Sequence, residues 1–222
     1  MKERIIMEQR FTTHEPPPLP METIPVASPA PLGLSVLAFA TAILGCFFTG
    51  LIIPFQAVTV RGAVGATFLI AGPLLILAGM WEFRKNSLMT ATAFTAYGGF
   101  LAILGLVFMP NFGITAALGG NLNLLLGLLF LCWTIFTVVM CIGAFETNMA
   151  LLPTLGLLFL AFLFLTIGQL SGANSVLIKV GGWLAIVCAI VSWLASIASM
   201  LGIASPRGRF RFPLGRRMAV VE

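Results

Sequence analysis

Between Pro31 and Ile203 the chain carries only six formally charged residues, Arg61, Glu82, Arg84, Lys85, Glu146 and Lys179, separated by apolar stretches of membrane length. This sparsity constrains the fold more than any motif, because a water-soluble globule built from such stretches would leave large apolar areas exposed. A helix crosses a hydrocarbon core of about 30 Å at about 1.5 Å per residue. Six runs are long enough: Leu32 to Ile53, Ala63 to Trp81, Leu88 to Met109, Leu122 to Ala144, Ala150 to Leu170 and Val176 to Leu201. Short joins between most of them predict antiparallel neighbours. The expected fold class is all-α, a polytopic membrane protein of six transmembrane helices, in keeping with a mean hydropathy of +1.09.

Three regions follow. Residues 1–30 contain Pro16, Pro17, Pro18, Pro20, Pro25 and Pro29 and read as a disordered cytoplasmic tail without the apolar core of a signal peptide. Residues 31–203 form the membrane domain. Residues 204–222 form a basic cytoplasmic tail, where Arg207, Arg209, Arg211, Arg216 and Arg217 are expected to meet anionic lipid head groups. Without a recognition module, they do not indicate nucleic acid. An even number of spans puts both termini on one side. If that side is the cytoplasm, Lys2, Arg4, Arg10, Arg84, Lys85 and the tail arginines lie inside, against Arg61 and Lys179 outside. This positive-inside bias predicts a multi-pass protein of the plasma (inner) membrane with both ends cytoplasmic.

The chain has no aspartate, and its acids are Glu3, Glu8, Glu15, Glu22, Glu82, Glu146 and Glu222. A pump built on carboxylate rings is therefore excluded. His14 is the single histidine and lies in the tail, so neither a histidine metal site nor a histidine-based triad can form in the membrane. Cys46, Cys132, Cys141 and Cys188 all fall in apolar runs without ligand spacing and read as small buried or lipid-facing residues. With no phosphate loop, zinc motif or carboxylate pair, the chain is expected to be neither an enzyme nor a cofactor or metal binder.

Polarity concentrates in Ala78 to Gly99, the elbow between the second and third runs. Glu82 has two readings: a surface ion pair with Arg84 or Lys85, or a proton acceptor at the mouth of a path. Thr92 and Thr95 share a helical face, whereas Tyr97 points away from both, so all three line one path only if the helix is distorted or the path crosses its side. Pro73 predicts a kink in the second helix. Small residues at helical spacing, such as Gly72 and Gly79, Gly98 and Gly105, and Gly182 with Ala185, predict close helix contacts. Glu146 reads as a solvated residue near a helix end.

Ser28-Pro29-Ala30-Pro31-Leu32-Gly33-Leu34 resembles the Asn-Pro-Ala-Pro-Leu-Gly-Leu signature of the acetate uptake transporter family, which includes bacterial succinate-acetate permeases. Ala78-Gly79, Glu82-Phe83, Thr92-Ala93-Phe94-Thr95, Tyr97-Gly98 and Phe100 resemble its second block in the same order and spacing. Met109-Pro110, Gly168 with Gly172, and Gly182-Trp183 extend the similarity over residues 28 to 200. The resemblance implies a six-helix protomer, a hexameric ring with one path per protomer, and a constriction formed by Leu37, Tyr97 and Leu158. Departures are Ser28 for Asn, Leu37 for Phe, Gly45, Phe47 and Phe48 for polar Asn and His, Leu75 for Gln, Asn86-Ser87-Leu88-Met89-Thr90 at the elbow, and Ser199 for an acid.

These features together predict a homo-oligomeric membrane transporter or channel for acetate or a related small monocarboxylate, with succinate a further substrate that the family implies. The substrate is expected to travel as an anion with a proton or as the neutral acid. Tyr97 and Leu158 would gate, Leu37 would complete the constriction, Thr92 and Thr95 would offer hydroxyls, and Glu82 would take up a proton or pair at the surface. The alternative is a non-transporting membrane sensor or assembly protein whose path has lost its polarity.

Overall fold

The computed structural model describes residues 27–51, 58–147 and 151–204. The proline-rich tail, the basic tail and His14 lie outside them, as does the side chain of Glu146. Six long helices form: α1 (Ala30–Thr49), α2 (Val58–Arg84), α3 (Leu88–Phe108), α4 (Leu122–Thr147), α5 (Leu152–Leu170) and α6 (Ser175–Ala204). Each is long and apolar enough to cross a bilayer. α2 runs through Pro73 without ending and begins ahead of Arg61, extending beyond the apolar run because a long basic side chain at a helix end can reach toward the interface. The segment Asn111 to Asn121, read as a loop, folds into two 3₁₀ turns around a short helix, Ile114–Leu118.

Local chemistry fixes the helix ends. Pro31 occupies the first turn of α1, where its missing N–H is not needed. The elbow after α2 is a Schellman cap: Asn86 adopts φ 57°, its N–H bonds to the Phe83 carbonyl (3.0 Å), and Ser87 N–H bonds to the Glu82 carbonyl (3.1 Å). Asparagine is one of the few residues that tolerates this left-handed position. Asn174 Oδ1 caps α6 by accepting the N–H groups of Val176 (3.1 Å) and Leu177 (3.4 Å).

The helices pack as a ring in the order α4, α5, α6, α1, α2, α3, with α3 returning to α4. Glycines make the tight seams. Gly65, Gly72 and Gly79 recur every seven residues on α2; a Cβ on Gly65 or Gly72 would come within 3.0 or 2.7 Å of the carbonyl oxygens of Gly105 and Gly98 on α3. Gly45 of α1 and Gly182 of α6 meet in the same way. Without a hydrophobic drive between helices in lipid, this close backbone approach provides the packing. The α3–α4 closure uses rings instead: Tyr97 and Phe100 of α3 pack on Trp133 of α4 at 5.7 and 4.9 Å between centroids.

The seams predict a measurable contrast. Gly72→Ala places its Cβ 2.7 Å from a backbone oxygen, whereas Gly99→Ala meets nothing within 4 Å. Gly72→Ala should therefore destabilise the detergent-solubilised protein by about 1–3 kcal/mol, the usual scale of overpacking. A thermal melt in detergent checks this, with Gly99→Ala expected to match the unmodified protein or exceed it.

Candidate functional site

Three alternate helices, α1, α3 and α5, point their buried faces at the ring centre. Together they enclose a cavity of about 10 Å³ lined by Leu37, Thr41 and Leu44 of α1, Tyr97 and Phe100 of α3, and Leu158 and Phe162 of α5. That is room for about one water molecule. Leu37, Tyr97 and Leu158 thus converge on one point although they are far apart in the chain, and little space is left between them.

Two hydroxyls reach this cavity, and both are committed. Thr41 Oγ1 donates to the carbonyl oxygen of Leu37 at 2.9 Å. Tyr97 donates to Thr137 Oγ1 of α4 at 2.9 Å, and Thr137 donates in turn to the Trp133 carbonyl at 2.6 Å. The Tyr97 ring is packed on three sides, by Trp133 (5.7 Å), Phe136 (5.5 Å) and Phe162 (6.5 Å). The Tyr97 side chain is thus held on its ring by neighbours from α4 and α5 and at its hydroxyl by Thr137. Thr137 also makes the ordinary bond of a membrane-helix hydroxyl to the carbonyl one turn back, so nothing local in the sequence sets it apart. The bond from Tyr97 depends on the α3–α4 closure, which no local spacing reveals.

The threonines of the elbow lie elsewhere. Thr92 is outside the cavity lining and donates to the Leu88 carbonyl on its own helix at 2.8 Å. Thr95 Oγ1 is buried without a hydrogen-bond partner, wedged against Gly79 in the α2–α3 seam. Thr92 and Thr95 thus stand apart from the cavity that Tyr97 lines, in keeping with their projection on the helix, which turns Tyr97 away from both.

Glu82 also departs from the ion-pair reading. Val64, Phe68, Ala71, Leu75, Ala78 and Glu82 form one buried stripe along α2, with Glu82 at its C-terminal end and 2% exposed. Oε1 is buried without a hydrogen-bond partner. Arg84 and Lys85 are exposed and engaged elsewhere: the guanidinium lies 5.3 Å from the Trp81 ring centroid, and Nζ donates to Ser28 Oγ at 2.9 Å. α1 and α3, which pack against α2, carry no carboxylate, histidine, lysine or arginine. The carboxyl therefore lies in an apolar setting with no charged partner among the described residues, an expensive arrangement.

An aromatic cluster occupies the opposite half of the bundle. Phe48 packs on Phe47 (5.3 Å) and Phe130 (5.7 Å), Phe47 on Phe108 (5.1 Å), and Phe130 on Phe100 (6.0 Å). Phe47 and Phe48 stand where the resemblance places polar side chains, and here they fill space with hydrocarbon. No group of residues that could hold a metal occurs among the described residues.

Comparisons with known proteins agree with this architecture. A sequence model described as the GPR1/FUN34/yaaH family matches residues 11–209. Acetate permease A of Emericella nidulans is 33% identical over 197 residues, covering 83% of this chain and 64% of its own length. Accumulation of dyads protein 2 of Saccharomyces cerevisiae is 32% identical over 188 residues with the same coverage. The chain thus spans 64% of the length of these fungal relatives. The succinate-acetate/proton symporter SatP of Escherichia coli K12 is 30% identical over 192 residues, covering 86% of this chain and 96% of its own. The solved bacterial acetate channel SatP superposes with a TM-score of 0.74 at 28% identity, covering 86% of this chain and all of that one.

Proposed function

The chain belongs to the GPR1/FUN34/yaaH family, as the two sequence blocks led one to expect, and from that premise we propose that it carries acetate or a related small monocarboxylate across the membrane, linked to protons. Relatives named as an acetate permease and a succinate-acetate/proton symporter support the substrate class. In this reading the protein is a transporter rather than an enzyme, sits in the plasma membrane with both termini cytoplasmic, and assembles as a hexamer with one path in each protomer. Leu37, Tyr97 and Leu158 form the constriction, and Glu82 serves the proton side.

One observation carries the mechanism: the constriction is closed by hydrocarbon and offers no uncommitted donor. A bare carboxylate entering such a place loses its hydration, at an idealised cost of order 20 kcal/mol that remains several kcal/mol after relaxation. Protonating a carboxyl group of ordinary pKa near 4.3 costs about 4 kcal/mol at pH 7. The neutral acid is the less costly passenger. A monocarboxylate sheds all its charge with one proton; a dicarboxylate needs two. Proton linkage then follows from the path itself, because each acid carries its own proton across.

Uptake of radiolabelled acetate into proteoliposomes tests this reading. Uptake should exceed the leak into empty liposomes, rise with an inward proton gradient, and fall about tenfold per pH unit at fixed total acetate, following the neutral fraction. Uptake no greater than in empty liposomes would favour the non-transporting alternative.

A further inference from the structure

The seam between α1 and α2 is built differently from its neighbours. Glycines bring α2 against α3 and α1 against α6, but among the described residues no glycine of α1 or α2 meets the other helix. The seam stays open as a groove of about 410 Å³ on the outside of the ring, between Val36 and Phe39 of α1 and Thr67, Ile70, Ala71 and Leu74 of α2. Phe39 and Ile70 are 46% and 66% exposed. Both helices are long and apolar enough to span a bilayer, so the groove faces hydrocarbon. Van der Waals contact is what holds helices together there, and an opening of this size takes up an apolar occupant.

The groove continues along α2 to a cationic corner. Ile70, Leu74, Leu77, Trp81 and Arg84 stand three and four apart, share one helical face and are all exposed. From Ile70 to Arg84 this stripe rises about 21 Å, which matches one leaflet of a bilayer about 40–45 Å thick with its head groups. The Arg84 guanidinium lies 5.3 Å from the Trp81 ring centroid, and an arginine stacked on a ring still presents N–H donors at its edge. Tryptophan beside a basic residue at the foot of an apolar face is the pattern of a membrane interface. Lys85 donates to Ser28 Oγ at 2.9 Å, just ahead of α1, so a second cation bridges the two helices at this end. Of the side chains described, Glu82 is the one carboxylate, and it turns to the core. A second copy of the chain therefore shows no exposed acid to set against Arg84, whereas an anionic phospholipid carries both the apolar chain and the phosphate.

We propose that the α1–α2 groove seats one acyl chain of an anionic phospholipid, with Arg84 and Lys85 holding its phosphate at the N-terminal end of α1. The chain fills the seam that no glycine closes, and the head group ties the end of α2 to the start of α1. The site rests on the six membrane spans and not on the transport reading, and it is separate from the arginines of the C-terminal tail.

Native mass spectrometry of the full-length protein is the experiment. The protein, stripped of lipid in detergent, is mixed with equal amounts of dioleoyl-phosphatidylglycerol and dioleoyl-phosphatidylcholine, and the lipid retained by each protomer is read from its mass. The unmodified protein should keep one phosphatidylglycerol in preference to phosphatidylcholine. Arg84→Gln should lower the retained phosphatidylglycerol about fivefold, the scale of one basic side chain near an anionic surface, and leave phosphatidylcholine unchanged. Dihexanoyl-phosphatidylglycerol, with the same head group on short chains, should be lost. Ile70→Trp, at a lipid-facing position, should crowd the groove and lower retention of both long-chain lipids. Should Arg84→Gln fail to assemble, Lys85→Gln and the comparison of short with long chains in the unmodified protein decide. Equal retention of the two head groups would overturn the site. So would a preference that survives Arg84→Gln, which would assign the lipid to the tail arginines, or equal retention of short and long chains, which would empty the groove. Separation of protomers by Ile70→Trp without loss of lipid would give this face to a second copy of the chain instead.

Discussion

Tyr97→Ala is expected to raise uptake of carboxylates larger than acetate about tenfold, equivalent to about 1.4 kcal/mol off the barrier, and to flatten the dependence of rate on substrate size. The ring it removes is 1% exposed and lines a cavity of about 10 Å³ together with Leu37 and Leu158. A space that small admits about one water molecule and no carboxylic acid, so passage requires the ring to move. Removing it leaves the two leucines facing a widened gap. Uptake of acetate, propionate, butyrate and benzoate by proteoliposomes carrying each variant measures the size profile. An unchanged profile in Tyr97→Ala would sink the gate.

The same structure separates the bulk of the plug from its clamp. Tyr97→Phe keeps the ring and removes only the bond to Thr137, and Thr137→Val removes it from the other side. A buried neutral hydrogen bond contributes about 1 kcal/mol, so both variants should ease opening by a few-fold while keeping size selectivity. If the two variants behave alike and Tyr97→Ala differs from both, the ring sets selectivity and Thr137 sets how readily it moves. Loss of selectivity in Tyr97→Phe would shift the selecting role from ring volume to the hydrogen bond.

The six spans were legible because the hydrophobic requirement of a bilayer acts on every residue of a run, and charges mark its ends with little ambiguity. Leu37, Tyr97 and Leu158 came from the resemblance rather than from any pattern a single chain displays: two of them are leucines among many, and only the ring of helices brings them together. Helical projection already separates Thr92 and Thr95 from Tyr97, at 100 degrees per residue, but what they face instead depends on the packing of α2 on α3, which sets Thr95 against Gly79. Glu82 left two readings open because it stands beside Arg84 and Lys85. The stripe from Val64 through Leu75 to Glu82, at spacings of three and four, places the carboxyl on the buried face of α2, whereas Arg84, two residues on, faces away and Lys85 lies past the helix end, both exposed.

Glu82→Gln should separate stability from coupling. The substitution preserves size and removes only the ability to ionise, and it breaks no salt bridge because none joins Glu82 to Arg84 or Lys85 among the described residues. An ionisable group buried against apolar neighbours is destabilising, so neutralising it should leave the thermal midpoint in detergent unchanged or raised. Gradient-driven accumulation should nevertheless fall about tenfold, about 1.4 kcal/mol, if this carboxyl receives the proton that each acid releases at the cytoplasmic mouth. Glutamine keeps the size of the side chain but can neither take up nor release a proton. Gradient-driven acetate uptake into proteoliposomes of the variant and of the unmodified protein, each corrected for the empty-liposome background, measures the loss. A variant that accumulates acetate normally would remove Glu82 from the proton path and leave the neutral acid as its own proton carrier.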